Sequence, residues 1–181
     1  MPPKNSRRVA DLPEHLDLGR HRNASWWSDL AARWVVLGLL TAMTIAALFS
    51  VFGQHPETSV ASGDAATLEV SAPEQLRGGL FFQGRFTVTA KDGIEDVVLV
   101  FAPAWMENMH INTIEPAPTE EASRDGDLAL HFGPLDAGER LVLYMQFQVN
   151  PTNVGRRSAD VELYDGETLI ATVERTMTVF P

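Results

Sequence analysis

The chain has 181 residues, no cysteine and a formal charge of −10. That length holds one core-forming domain with chain to spare, and the lack of cysteine excludes disulfides, redox thiols and thiolate metal sites. Up to residue 33 six Lys/Arg face four acids, and after it eight face twenty; the acidic part argues against nucleic acid or anionic lipid as its partner.

Residues 1–24 hold Pro2, Pro3 and Pro13 and no sustained apolar period, which predicts a flexible arm. Residues 25–52 predict a juxtamembrane turn running into a transmembrane helix. Ser25 fits an N-cap. Trp26, Trp27 and Trp34 recur at helical spacing and suit the headgroup layer, where an indole is half-buried with its N–H in water. Residues 34–52 carry no charge and as a helix would extend ~28 Å, one hydrocarbon core. A cleaved signal peptide has a short basic start and an apolar core of only ~7–15 residues, whereas 33 mostly polar residues precede this span, so a retained anchor is expected. Arg20, Arg22 and Arg33 come before it and the next basic residue is Arg77, a bias that predicts a cytoplasmic N-terminus and an extracytoplasmic C-terminal domain. Gly38, Ala42 and Ala46 make a small-residue stripe by which another helix can approach closely.

Residues 53–67 are small and polar and read as a linker. From residue 68 the apolar period is two. Residues 80–90 place Phe86, Val88 and Ala90 on one face, and residues 94–101 become apolar on both faces, as in a central strand. The stretch 102–126 is irregular, with Pro103, Pro116 and Pro118 and a short edge strand expected over 110–115. Leu128, Leu130 and Phe132 form the next inward stripe, and Leu141, Leu143, Met145, Phe147 and Val149 a longer one. Asn150-Pro151 stops it, Ala159, Val161 and Leu163 begin another, and Asp165-Gly166 makes a tight hairpin into a last strand through Leu169, Ala171 and Val173 to Phe180. About seven or eight short strands with turn signals between them predict an all-β fold over 68–181. It is an immunoglobulin-like antiparallel β-sandwich preceded by a single transmembrane α-helix.

The run GPLDAGERLVLYMQFQVNPTNVGRR, residues 133–157, resembles the later strands of bacterial surface immunoglobulin-like modules, with a G-x-L-x-x-G-E start, a long alternating strand and an Asn-Pro turn. The whole layout resembles single-pass bacterial envelope proteins. That resemblance implies an adhesive, spacing or assembling role and transfers no individual residue.

Three kinds of chemistry are open to these residue types. Met106, Met109 and His110 combine thioether and imidazole, a ligand set suited to Cu(I), with His131 or Met145 as further candidates; Met is equally an ordinary core filler. Glu115, Glu120, Glu121, Asp125 and Asp127 supply oxygens for calcium but lack EF-hand spacing. For a membrane-tethered hydrolase there is no nucleophile motif and no phosphate-cradling glycine loop. Trp105, Met106, Met109 and Ile111 read as a contact patch, since aromatic and Met residues are enriched at interfaces; the alternative is that Trp105 folds back to plug one end of the sandwich. The sequence therefore predicts a single-pass, cofactor-free binding module, not an enzyme, whose partners are the lipid bilayer and another membrane or envelope protein.

Overall fold

A computed structural model describes residues 26–48 and 54–181. These fall into two compact units, which divide between Gly53 and Gln54. The first contains α1, Trp26–Leu48, one unbroken helix from the first tryptophan, so the turn expected before the apolar stretch is continuous with it. Its segment Asp29–Leu48 is long and apolar enough to cross a membrane, and none of it is buried within the protein. The hydroxyls of Thr41 and Thr44 donate to the carbonyls of Leu37 and Leu40 at 2.8 Å, so neither seeks a partner outside the helix, as an apolar solvent requires. The arm over 1–24, the Ser25 cap and the expected helix end at 49–52 lie outside the described residues.

The second unit is an immunoglobulin-like β-sandwich. Its first sheet is antiparallel throughout, in the order β1 (Pro56–Ser62), β2 (Ala66–Pro73), β4 (Phe81–Ala90), β9 (Arg140–Val149), β6 (Met109–Glu115). The facing sheet runs β12 (Thr168–Val173), β11 (Val161–Asp165), β5 (Val97–Phe101), β8 (Asp127–His131), β7 (Glu120–Arg124). A short third sheet joins β10 (Gly155–Ser158), β13 (Thr176–Phe180) and β3 (Gln75–Arg77), with β3 parallel to β13. Between the layers lie the alternating residues of β2, β4 and β9 (Leu68, Val70, Phe86, Val88, Leu143, Met145, Phe147) against Leu99, Phe101, Leu130, Val161 and Leu163. The period-two stripes thus enter the core as the pleat dictates.

The segment expected to be a linker is a strand. All seven residues of β1 pair antiparallel with β2, from Pro56 opposite Pro73 to Ser62 opposite Thr67, so the β-domain begins at Gln54 and not at residue 68. Its composition misled because an edge strand with one wet face needs few apolar residues. The last strand is also corrected: a bulge beside Leu163 and Tyr164 sets Tyr164 opposite Leu169, so Leu169 faces solvent while Ile170 packs against the core.

β10–β11 and β12–β13 form one long hairpin. Ser158 is opposite Thr176 and Val161 opposite Val173 in unbroken register, and at the bend the Ala159 N–H donates to the Arg175 carbonyl at 2.8 Å. Arg175 follows Val173 on the inward parity and its side chain is only 2% exposed. Its guanidinium donates to the carbonyls of Glu57, Val70 and Ala72 and to Ser59 Oγ at 2.7–3.1 Å, with Glu74 Oε1 at 3.5 Å. Burial pushes its pKa down from the usual arginine value, and Glu74 and Glu57 oppose that shift. One side of the sandwich is thereby fastened shut.

Gly63, in the β1–β2 turn, completes that closure. A Cβ there would lie 2.1 Å from the Ile170 carbonyl oxygen and 2.7 Å from its Cγ2, so any side chain forces the hairpin off β12. Gly63→Ala is expected to cost about 1–3 kcal/mol, read as a lower urea midpoint. Gly93→Ala, where a Cβ meets nothing within 4 Å, should leave the midpoint in place.

Candidate functional site

On the opposite side the layers are not fastened. Among the described residues β6 pairs only with β9, and β7 only with β8, so each presents an unpaired edge. The residues predicted as a contact patch lie in the loop and strand that lead into this side, and the structure separates them.

Trp105 is not a contact residue. It ends a short 3-10 turn, Pro103–Trp105, whose proline fixes the first residue, and the chain reverses so that the indole enters the core, 0% exposed. The ring lies 5.3 Å from both Phe86 and Phe147, 6.2 Å from Phe101 and 6.4 Å from Phe82. The indole N–H donates to the Ala159 carbonyl at 3.0 Å, which satisfies the polar atom that a buried tryptophan carries in. Of the two readings open in the sequence, the plug is the one found.

Met106 stays outside at 36% exposure. Along β6 the pleat alternates: Met109, Ile111 and Ile114 pack against the core while His110 faces solvent. A bulge at Asn112 keeps Ile114 in phase with Met145 across the strand pair. The copper set is therefore divided, Met109 and His110 lying on opposite faces of the first sheet. His131 sits in the other sheet, its Nδ1 2.7 Å from Asp96 Oδ2, and Met145 is wholly buried. Among the described residues no group of three His, Asp or Glu gathers around a common point, and the calcium candidates are strung out from Glu115 at the end of β6 to Asp127 at the start of β8.

What the fold does bring together is Met106 with Ile111, Asn112, Thr113, Ile114, Glu121 and Leu128, which line a groove of about 340 Å³ between the β6 and β7 edges. The connection between the two edges holds Pro116, whose peptide bond is cis, and Pro118. The segment 106–123 carries four glutamates and no lysine or arginine.

Sequence reasoning missed the outer face of the second sheet. Val98, Val100 and Ala129 are buried there because Arg124 reaches across the sheet, its guanidinium 4.3 Å from the Tyr164 ring centroid. It ends on the Gly166 carbonyl and on Glu167 at 2.6 Å. This explains why β5 is apolar on both faces. The Tyr164 hydroxyl donates to Glu162 at 2.7 Å, and that bond, then burial, holds its pKa above the usual phenol value against the opposing Arg124 charge. Burial, followed by Glu162 and Asp125, likewise raises the Asp127 carboxyl. The His131–Asp96 pair fastens the end of β8, since the other Asp96 oxygen accepts the Gly133 N–H at 3.0 Å; no hydroxyl bonds to that ring among the described residues.

Of the residues expected at a membrane, Trp26 and Trp27 begin α1, Arg33 and Trp34 are exposed, and Gly38 and Ala42 leave an open face with Ala46 half-buried.

No family model matches the chain, and neither does any curated protein. Among solved structures it is similar to the CARDB domain of the PF1109 protein from Pyrococcus furiosus, crystallised in complex with di-metal ions. The identity is 14% over 70% of this chain and 90% of that one, with a TM-score of 0.38. The solution structure of that domain gives 14%, 70%, 96% and 0.38. A non-cellulosomal cohesin from Archaeoglobus fulgidus gives 15%, 69%, 92% and 0.38. All three come from archaea, and likeness at this level carries no function across; the similarity of residues 133–157 to bacterial surface modules remains a resemblance.

Proposed function

We propose that the chain is a membrane-anchored binding module that contacts another membrane or envelope protein through the β6–β7 seam. α1 supplies the anchor, and the Lys/Arg bias before it sets the N-terminus in the cytoplasm and the β-domain outside. The observation that carries the reading is the contrast between the two sides of the sandwich. Arg175 and the Gly63–Ile170 contact fasten one side, whereas on the other, among the described residues, two strand edges are unpaired and the groove between them sets Met106, Ile111, Ile114 and Leu128 beside the polar Asn112, Thr113 and Glu121. A partner strand laid on β6 would complete its backbone hydrogen bonds, and its alternate side chains would enter the groove. This reading needs no cofactor and assigns no catalytic group.

A photo-crosslinking residue at Asn112 in the full chain, expressed in its native membrane, is expected to give one defined adduct, while the same residue at Val60 on the far edge gives none. Met106→Glu should weaken capture of that partner about tenfold, the loss of one interface side chain worth ~1.4 kcal/mol. Adducts formed only from the Gly38, Ala42 and Ala46 face of α1 would transfer the binding role to the helix.

A further inference from the structure

The net charge of the β-domain conceals a polarity between its two ends. At the end where β1 begins, Gln54 lies beside Phe82 and Gln83, and three chain segments meet there. The Gly78 N–H donates to the Phe180 carbonyl and the Gly79 N–H to the Val149 carbonyl, both at 2.9 Å, and the Val149 N–H donates to the Leu80 carbonyl at 3.0 Å. Four large apolar side chains project from this end: Leu80, Phe81, Val154 and Phe180, 46–55% exposed. Gly155 is opposite Val179, Arg156 opposite Thr178 and Phe180 opposite Arg77. Val154 and Phe180 thus share the outward face of the short sheet with Arg77 and Arg156, both exposed; Arg156 also borders a hollow that holds Glu74, Asp160 and Glu174, so Arg77 is the cation of this face without that acidic border. The turns at the other end carry exposed Asp64, Asp92, Asp136, Glu139 and Glu167 against exposed Lys91 and Arg140.

We propose that this apolar, arginine-bearing end rests on the lipid surface of the membrane, with the acidic end turned away. The proposal depends on α1 spanning that membrane. Residues 49–53 are all that separate Leu48 from Gln54, and such a stretch extends at most ~20 Å. The lipid surface is therefore always at hand, and a contact too weak to hold a free domain is enough for a tethered one. Phenylalanine and leucine side chains enter the headgroup boundary, and arginines beside them are drawn to anionic lipid. The opposite end would be repelled by the same surface.

Because the chain has no cysteine, single cysteines can carry spin labels without background. The full chain, labelled in turn at Thr152→Cys, Pro181→Cys, Asp136→Cys and Met43→Cys, is placed in phosphatidylcholine vesicles with and without phosphatidylglycerol. The labels are tested for collision with oxygen, which favours lipid, against a water-soluble nickel complex. Labels at 152 and 181 are expected to favour oxygen several-fold over the label at 136, more so with phosphatidylglycerol. Phe81→Ser combined with Phe180→Ser should abolish that preference, and Arg77→Glu with Arg156→Glu should abolish its dependence on phosphatidylglycerol. Labels at 152 and 181 as water-exposed as that at 136, with 43 in lipid, would overturn the docking while leaving the anchor intact. A water-exposed label at 43 would overturn both.

Discussion

Arg175→Met is expected to lower the stability of the β-domain by about 3–5 kcal/mol, the usual cost of removing one member of a buried charged network. The substitution keeps much of the side-chain volume but leaves the carbonyls of Glu57, Val70 and Ala72 without the donor that now reaches them. The Val70 and Ala72 carbonyls are buried, and an unanswered acceptor there costs about 1–3 kcal/mol; the part-buried Glu57 carbonyl adds less. For a domain of this size the loss corresponds to roughly 10–20 °C in Tm, measurable by calorimetry of the full chain in detergent. Arg175→Lys should recover only part of it, since an ammonium keeps the charge beside Glu74 but cannot span acceptors on two strands as a planar fork does. A Met variant with the wild-type midpoint would mean that the closed side of the sandwich is held by packing alone.

Trp105→Ala is expected to cost about 3–5 kcal/mol, the range for emptying a buried tryptophan site. The indole touches four phenylalanines drawn from both layers, so its loss leaves a void that neither sheet can fill by moving alone. Trp105→Phe should cost less, roughly 1–3 kcal/mol, chiefly from stranding the Ala159 carbonyl. Because the substitution removes the chromophore itself, a lowered urea midpoint followed by far-ultraviolet circular dichroism is the measurement that reports on the core. A variant that folds with wild-type stability but fails to capture a partner would reverse the assignment of Trp105 to the core.

Much of the β-domain was legible because its central strands obey one rule. Phe86 and Val88 in β4, and Leu141 to Val149 in β9, alternate as half-buried strands must, and they pair with each other in the register that the alternation implies, Val88 opposite Leu141. The turn at Asp165-Gly166 was legible for a local reason, a glycine at positive φ. The failures have physical causes too. β1 is polar because an edge strand is wet on one face, and β3 is three residues long and depends on β13, about a hundred residues away. Trp105 was ambiguous because a tryptophan beside prolines fits either an interface or a core. Arg175 leaves a trace in the sequence. Val173, Met177 and Val179 all face inward, and the arginine stands in the same stripe, where an unpaired charge would be intolerable. A cation on the apolar parity of a strand predicts a cluster of acceptors facing it.

The β1–β2 ladder has a mechanical consequence. Pulling at Gln54 feeds tension into the first residue of β1 and along that strand. Seven rows, from Pro56–Pro73 to Ser62–Thr67, then resist in shear and share the load. A force directed across the strand would instead peel the rows apart one after another. The segment that resembles a slack tether is built as a clamp, and it would yield late and abruptly under load.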